Sequence, residues 1–560
     1  MKRTVGSFAA AALLLMTGFG ESPLTAQLTR PVNARPSTAA PRVELSERTT
    51  FSNRDIVPFQ LLPYGEDFFL STYREVGNIT TATRTELSEL VLYRYNAELK
   101  RSGTFQVAWP DEARDHIGLT SLGDALLWTF MTRGRERNTF DVRAEVLNGD
   151  GKLLSEHRLL TVHQRELAQL ADLEAYSANR GYYVRAYADE SQSSLFSKRD
   201  DERATVTLAV FDRMGTPITI ERKRLRVNRD QLELQSAAVD DDGTAYLLAK
   251  VYTSSKGRET RRGSDSKVYL YTLAPGAEDL ERTELKLAGQ YIEGVSMVPG
   301  LSGRPAIVGV YSERIDGRIV GYFADNNPSA GNVLKPQPFS QDLLERLGRR
   351  VTSRRGGRLV LEGQYEFGEA LRLRDGRLSL LLESIRITQQ TGPAGGIGMQ
   401  PGMTTNTNYT FSDALLLTFS NDAELQEALM VPMFQSYTLQ QNFATRRASL
   451  GSVPPYYRAS LVEYDGKPAV IYNDNPRNFG RDIERTTKAL RFRDAVATLA
   501  FADEDGRLRQ QPVFSRREAD QLILIPRSTE RLINDDVVFM ATRFRTFNKN
   551  ELSFGRISSR

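Results

Sequence analysis

Residues Arg203–Arg226, RATVTLAVFDRMGTPITIERKRLR, decide the fold class of this 560-residue chain. An apolar run of strand length, ATVTLAVFD, is followed by the turn Asp212–Gly215 and by a second strand with a more polar face, TPITIERKRLRV. Just upstream lies another apolar run, Gly181–Tyr187, which ends in the polar stretch 190–203. The unit therefore indicates β-strands joined by one tight turn and one long loop.

Copies of this unit recur along nearly the whole chain. Most contain an apolar run, a second run, a short turn and a polar strand, with glycine in or just after the turn. The starts are about 55–65 residues apart in the first half of the chain, a spacing typical of a repeat fold. The first apolar runs are Phe68–Tyr73, Leu126–Met131, Tyr182–Tyr187, Ala245–Tyr252, Ala306–Tyr311, Leu378–Glu383, Ala469–Tyr472 and Val537–Ala541.

Four strands per unit and eight units predict an all-β fold, a single β-propeller of about eight four-stranded blades. Seven blades is the alternative, because the unit boundaries between Leu334 and Leu378 are blurred by a predicted short helix at Gln341–Arg349. The last unit is incomplete at the C-terminus. A strand from Val43 to Ser52 would complete it and close the ring, which removes exposed sheet edges.

The remaining segments divide the chain into regions. Residues 1–26 have the pattern of a secretory signal, with Lys2 and Arg3 before a short apolar run, and 27–42 are predicted to be a flexible linker before the propeller at 43–560. Residues 388–408 contain five Gly and two Pro without periodicity and are predicted to be a disordered loop. The chain has no cysteine, so neither a lipid-modified cysteine nor a disulfide is possible. We expect an exported protein, periplasmic or at the cell surface, without a lipid anchor.

Charge and motifs exclude several classes of function. The formal net charge is +4, and without Lys2 and Arg3 it is 4 − 2 = +2, far from the concentrated positive field of a nucleic-acid-binding protein. There is no Gly-x-Ser-x-Gly motif for a hydrolase, and three scattered histidines seldom form a zinc site. We expect no cofactor, no bound metal, no transmembrane segment in the mature chain, and a monomer.

Three acidic or amide-rich tracts allow two interpretations each. Asp240–Gly243 and Asp503–Gly506 resemble parts of calcium loops but lack the full ligand spacing, so plain hairpin turns are favoured. Asn473–Arg477 is either a polar cluster for a ligand or cation, or a turn in which Asn and Asp side chains cap their own backbone.

The long connections between the second and third strands of each unit share one rim of the predicted ring. The loops 75–88, 132–139, 190–203, 253–266, 312–318, 474–490 and 545–550 hold 19 Lys/Arg and 14 Asp/Glu, so 19 − 14 = +5. We call them the loop rim. Loops on a rigid scaffold are where propellers recognise partners, so we predict that the loop rim binds an envelope protein or an anionic polymer. The candidate binding residues are Arg133, Arg135, Arg137, Arg258, Arg261, Arg262, Asp474, Asn475, Arg477 and Arg481.

The C-terminal third also carries a resemblance to a known family. The stretches LRDGRLSLLLESI, SDALLLTFSNDAEL, PAVIYNDNPRN, QPVFSRREAD and ELSFGRIS are similar to those of a family of uncharacterised secreted propeller-like proteins from Gram-negative bacteria. The resemblance spans about residues 50–560 and is specific in this last third. It implies the fold and export and brings no activity.

Together these observations favour an exported propeller that acts as a binding or scaffolding module. The alternative is a polysaccharide lyase or hydrolase whose Asp or Glu catalysts lie unmarked in the central channel. Two carboxylates converging in the channel would favour the enzyme, and an aliphatic plug would favour the binding module.

Overall fold

The structure, a computed structural model, describes the chain from Arg42 to Ser558 with gaps. The predicted signal peptide and nearly all of the predicted linker lie outside the described residues. The internal gaps are 51–54, 77–85, 109–112, 164–169, 190–202, 254–264, 278, 301–303, 315–317, 327–332, 348–350, 354–358, 362–364, 394–402, 442–452, 479–487, 518, 520, 532–535 and 544–550.

Antiparallel four-stranded sheets follow one another along the chain, each ordered first to fourth strand as in the sequence. Blade 1 consists of β3 (Asp55–Tyr64), β4 (Asp67–Val76), β5 (Glu86–Tyr95) and β6 (Arg101–Ala108). Blade 2 consists of β7 (Ala113–Ser121), β8 (Leu126–Arg133), β9 (Thr139–Leu147) and β10 (Leu153–His163). Blade 3 consists of β11 (Leu170–Tyr176), β12 (Tyr182–Asp189), β13 (Arg203–Asp212) and β14 (Pro217–Asn228). Blade 4 consists of β15 (Leu232–Val239), β16 (Ala245–Tyr252), β17 (Ser266–Leu273) and β18 (Glu281–Leu285).

The second half of the ring repeats this order with one insertion. Blade 5 consists of β19 (Tyr291–Val298), β20 (Ala306–Ser312), β21 (Gly321–Asp325) and β22 (Gln337–Pro338). Blade 6 consists of β25 (Tyr365–Arg372), β26 (Leu378–Pro393), β27 (Met403–Phe419) and β28 (Leu425–Gln441). Blade 7 consists of β29 (Ala459–Tyr464), β30 (Lys467–Asp474), β31 (Val496–Ala502) and β32 (Leu508–Ser515). Blade 8 consists of β33 (Ile523–Arg531), β34 (Val537–Arg543) and β35 (Glu551–Ser558), completed by β1 (Arg42–Leu45).

The chain is thus an eight-bladed β-propeller, as predicted, and the seven-bladed alternative is wrong. The eight apolar runs of the sequence are the second strands of the eight blades. The blurred region holds an insertion between blades 5 and 6, formed by a short helix α1 (Gln341–Arg346) and the hairpin β23 (Val351–Ser353) and β24 (Leu359–Leu361).

Helix α1 begins and packs as its sequence dictates. The Ser340 hydroxyl caps it by accepting a hydrogen bond from the Leu343 backbone N–H at 3.1 Å. Leu343 and Leu344 then pack into the core between blades 5 and 6. No helix in the described part of the chain is long and apolar enough to cross a membrane.

The hydrophobic core is divided among the junctions between blades. Eight buried clusters occur within the described residues, and each joins neighbouring blades, in seven cases two of them. Second and third strands are buried on both faces, which explains their near-continuous apolar sequences. Fourth strands alternate at the perimeter, as in β6, where every second residue is exposed.

The N-terminal strand closes the ring. Strand β1 pairs antiparallel with β35, so that Val43 lies opposite Ile557, and the two-residue strand β2 (Thr49–Thr50) pairs with the other end of β35. Between them, the Ser46 N–H donates to the Phe554 carbonyl oxygen at 2.8 Å. The closing strand predicted within Val43–Ser52 is therefore confirmed, and it leaves β35 paired on both sides.

The prediction of a disordered loop over 388–408 is wrong at both ends. Strands β26 and β27 continue through this segment as a long hairpin, with Thr388 opposite Asn408 and Pro393 opposite Met403. Its side chains are mostly Thr, Asn and Gln, which gives a strand no apolar alternation to detect, although Thr itself favours strands. Residues 394–402 lie outside the described residues.

Candidate functional site

The topology places the predicted loop rim on one end of the ring. Because successive strands of a blade are antiparallel, second-to-third connections all emerge at the end opposite the first-to-second and third-to-fourth turns. Every loop assigned to the rim from the sequence is such a connection, as 134–138 between β8 and β9 illustrates. Most of these loops fall wholly or partly outside the described residues. Four of the predicted binding residues also lie outside them: Arg258, Arg261, Arg262 and Arg481.

The β8–β9 loop presents three of the predicted arginines to solvent. Arg133, Arg135 and Arg137 are all exposed, and within the described part of the chain their guanidinium groups have neither a hydrogen bond nor an ion pair. The loop that carries them is tightly held. The Gly134 N–H donates to the Thr139 carbonyl oxygen at 2.9 Å, and the Thr139 hydroxyl donates to the Glu136 carbonyl oxygen at 2.8 Å.

Two local features force this loop shape. A Cβ on Gly134 would lie 2.3 Å from the Thr139 Oγ1, so the position accepts no side chain without rearrangement. Asn138 has φ +64°, a left-handed conformation that asparagine tolerates better than most residues. Three positive charges are therefore fixed on a short rigid loop, offset by a single exposed carboxylate, Glu136.

The other predicted rim tract, Asn473–Arg477, is mostly a structural turn. Asp474 and Asn475 are buried, with 2% and 4% of their surface exposed, whereas Arg477 is exposed. Asp474 Oδ1 accepts the Asn475 N–H at 2.7 Å and the Asn478 Nδ2 at 3.0 Å. Asn475 Nδ2 donates to the Ala489 carbonyl oxygen at 2.8 Å, so the tract fastens both ends of its own loop.

The burial of Asp474 shifts the titration of its carboxyl group. Desolvation raises its pKa to about 7, against which the hydrogen bonds from Asn478, Asn475 and Phe434 act in the opposite direction. The structure thus places this carboxyl beneath the rim surface. Partner binding by Asp474 and Asn475 stays a prediction.

Charged side chains also meet at the axis of the ring, where sequence analysis named no residue. The first strands of neighbouring blades lie side by side, as β11, β15, β19 and β25 do, and therefore surround the axis. Six first strands carry a β-bulge or similar irregularity, at nearly the same depth in the blade. Bulges re-aim side chains, and here polar residues such as Glu369 follow them.

A buried ion pair joins blades 6 and 7 beside the axis. Glu383, with 0% of its side chain exposed, accepts from Arg458 Nε at 2.8 Å and from Arg458 Nη2. Its other oxygen, Oε1, accepts the Ala459 N–H at 3.0 Å. Arg527 of blade 8 approaches the same carboxylate at 3.6 Å, with 43% of its side chain exposed. Arg527 therefore adds a second, partly exposed guanidinium to this buried pair.

A second carboxyl lies alongside this pair. Glu369 Oε2 accepts the Leu461 N–H at 2.6 Å and the Ser460 hydroxyl at 2.9 Å, and Ser460 in turn is 3.3 Å from the Thr529 hydroxyl. Burial raises the pKa of Glu369, partly offset by these donors and by Arg527. The chain of contacts connects blades 6, 7 and 8.

The next residue of β33, Glu530, extends the cluster across the axis to blade 3. Burial raises the pKa of Glu530 to about 7, and the charges of Glu174 and Glu369 act in the same direction while Arg180 opposes them. Glu174, on the first strand of blade 3, accepts from the Tyr183 hydroxyl at 2.6 Å and from the Thr120 hydroxyl at 2.7 Å. We call Glu369, Glu530, Glu174 and Arg527 the axial cluster.

The acidic turns are hairpin turns, as favoured from the sequence. Asp240 Oδ1 accepts the Thr244 N–H at 2.8 Å, and Asp503 Oδ1 accepts the Arg507 N–H at 2.8 Å. Glycines at φ +88° and +71° complete the two turns. In the described ranges no group of three or more His, Asp or Glu side chains has the arrangement of a metal site.

No family model and no curated protein sequence matches this chain. Among solved structures, an acylaminoacyl peptidase from Pyrococcus horikoshii aligns with 90% of this chain at 10% identity and a TM-score of 0.36, and the aligned part spans 60% of the peptidase. The β-propeller domain of the Trilobed protease from Pyrococcus furiosus aligns with 74% of this chain and 100% of its own, at 11% identity and a TM-score of 0.30. A variant of the Synechocystis apocarotenoid oxygenase aligns with 70% of this chain and 95% of its own, also at 11% identity and a TM-score of 0.30. Likenesses at these scores assign this chain neither a family nor an activity.

Proposed function

We propose that this propeller is an exported binding module that recognises an anionic partner, an envelope protein or a polymer, through its loop rim. The observation that supports it is the β8–β9 loop, where Arg133, Arg135 and Arg137 are exposed without internal partners on a loop fixed by backbone hydrogen bonds. Arginine binds carboxylate, sulfate and phosphate groups through two parallel hydrogen bonds. A rigid loop loses little conformational entropy on binding, which raises affinity.

Affinity capture from envelope extracts, followed by a direct binding measurement, tests this proposal. The purified chain is immobilised, the captured partner is identified, and its affinity is measured for the wild type and for the triple variant R133E/R135E/R137E. We expect the triple variant to bind at least about tenfold more weakly, because three exposed charge pairs of about 0.2–1 kcal/mol each are replaced by repulsion.

A matched control uses arginines of the opposite end of the ring. Arg213 and Arg507 are exposed in third-to-fourth turns, so R213E/R507E changes the net charge by 2 × 2 = 4, against 3 × 2 = 6 for the triple variant, without touching the loop rim. Equal affinity of wild type and R133E/R135E/R137E, or an equal loss in the control, would refute recognition by this loop.

A second candidate function, a polysaccharide hydrolase or lyase, is supported by the axial cluster. Glu369 and Glu530 lie on first strands that surround the axis, and both have raised pKa values, a combination typical of catalytic acids. Glu530, with its pKa at about 7, would be the proton donor and Glu369 the second carboxyl group. Release of reducing ends or unsaturated ends from a panel of anionic polysaccharides, lost in E530Q and in E369Q alike, would establish this activity. Absence of any product with the wild type would exclude it for that panel.

A further inference from the structure

The fourth strand of blade 3, β14, carries a row of arginines on one face. Arg222, Arg224 and Arg226 are exposed and alternate along the strand, so they share one face of the sheet, whereas Ile218 is exposed at a β-bulge near the start of the strand. The opposite face packs inward, with Leu225 and Val227 only 6% and 7% exposed in the core between blades 3 and 4. The sequence Pro217–Asn228 thus combines a buried apolar face with a solvated basic one.

The charges on this face are largely uncompensated. Arg224 and Arg226 have no hydrogen bond or ion pair among the described residues. Arg222 donates through Nη1 to the Thr161 carbonyl oxygen at 2.8 Å, which leaves its charge without a carboxylate. Lys223, on the other face, does pair with an acid, Asp279, at 3.0 Å.

Within the described part of blade 2, this surface gains no acidic side chain. Ser155 and His157 of β10 lie opposite Val146 and Ala144, which belong to the core shared with blade 3, so these two side chains face β14. Ser155 Oγ and His157 Nε2 are 3.0 Å apart, and burial lowers the pKa of the imidazole. Among the described residues, the surface beside β14 is therefore basic on the blade 3 side and neutral on the blade 2 side.

Strand β14 is also an open sheet edge. It is 12 residues long and pairs with β13 on one side, at the end of the sheet order β11-β12-β13-β14. Arginines on such an edge prevent a second copy of the same strand from pairing, since like charges would face each other. Repulsion alone does not explain the exposed apolar residues at the start of the edge, Met214 at 49% and Ile218 at 44% exposure.

We propose that the β14 edge binds an extended acidic segment of a partner protein, which adds a fifth strand to blade 3. Main-chain hydrogen bonds to the open edge supply affinity, and side chains at alternate positions supply specificity. Acidic residues of the segment lie on the same face as the three arginines, and an apolar residue lies near Ile218 at the bulge. This site is separate from the loop rim and does not depend on the function proposed for it.

The probe is a fluorescein-labelled synthetic peptide of about ten residues that alternates glutamate with threonine and ends in valine, the pattern that strand addition requires. Its fluorescence anisotropy is measured with the full chain in low salt. We expect saturable binding that R224E/R226E weakens at least about tenfold. A peptide with lysine in place of glutamate should restore binding to that variant. R374E/R507E, which changes the net charge equally on exposed turns of blades 6 and 7, should leave binding unchanged. Both positions of the double variant are exposed, so its circular dichroism and Tm are expected to match those of the wild type.

N-methylated peptides separate strand pairing from simple charge attraction. In an added strand, every second amide N–H points towards the neighbouring strand and the others point away from it. Methylation of the first set is expected to abolish binding, and methylation of the second set is expected to preserve it. Equal loss or equal retention with both sets would overturn strand addition. Absence of binding by the unmodified peptide, or binding that R224E/R226E does not weaken, would overturn the site itself.

Discussion

Replacing Arg458 by methionine tests the buried ion pair that joins blades 6 and 7. The wild-type pair is shielded from solvent, with 8% of the Arg458 side chain and 0% of the Glu383 side chain exposed. Without the guanidinium, Glu383 retains the Ala459 N–H at 3.0 Å and the Arg527 charge at 3.6 Å. Breaking one side of a buried pair typically destabilises a protein by about 3–5 kcal/mol, because the remaining charge is left in a poorly solvated place.

Urea unfolding followed by circular dichroism measures this effect, and two matched variants define its origin. R527M removes a guanidinium that is on a side chain 43% exposed and is 3.6 Å from the same carboxylate. We expect it to lower the free energy of unfolding by less than about 1 kcal/mol. E383Q/R458M removes both charges and should recover part of the R458M loss, since no uncompensated charge remains. A loss below about 1 kcal/mol in R458M, or a double variant less stable than R458M, would refute the reasoning.

Two further predictions concern the axial cluster and a turn. Glu530 has a pKa of about 7 in the folded chain, above the ordinary 4.5, so the wild type loses stability as pH rises between these values. E530Q should therefore unfold at higher urea than the wild type at pH 8, with no gain below pH 4.5, and urea midpoints at both pH values check this. Gly215 has φ +80°, and a Cβ there would lie 2.6 Å from Val146 Cγ2, whereas Gly276 has φ +74° with nothing within 4 Å. Thermal unfolding should show that G215A lowers the free energy of unfolding by about 2–4 kcal/mol and G276A by about 1–2 kcal/mol. Both variants strain a backbone with positive φ, but only G215A also adds a steric clash.

The fold was predictable because its repeated signal lies in strands that are buried on both faces. Leu126–Met131 is a mostly apolar run. Arg203–Asp212 is another such run, and a glycine-containing turn follows it directly. Tight turns were marked by glycine, since residues such as Gly215 adopt positive φ. These features are local, and a single sequence contains them.

The axial cluster and the buried ion pair beside it were not predictable because they combine distant residues with irregular strands. Glu383, Arg458 and Arg527 come from three blades and meet only when the ring is built. Bulges such as the one between Phe367 and Glu369 break the alternation that would mark a channel-facing side chain. Of the rim residues, Arg133, Arg135 and Arg137 were identifiable from charge and loop position, whereas the burial of Asp474 depends on the fold around its turn.

Closure of the ring by the N-terminal strand is tested most directly by one engineered disulfide. Val43 and Ile557 are direct partners across β1 and β35, and the native chain has no cysteine to compete. Partnered strand positions fall within the spacing that a disulfide requires, about 4.4–6.8 Å between Cα atoms. The ring predicts that V43C/I557C oxidises to an intramolecular disulfide in the folded monomer and raises its Tm, while V43C/L154C, which pairs the same cysteine with an exposed site on blade 2, stays reduced. Failure of V43C/I557C to form this bond in the folded monomer would contradict the closed eight-bladed ring.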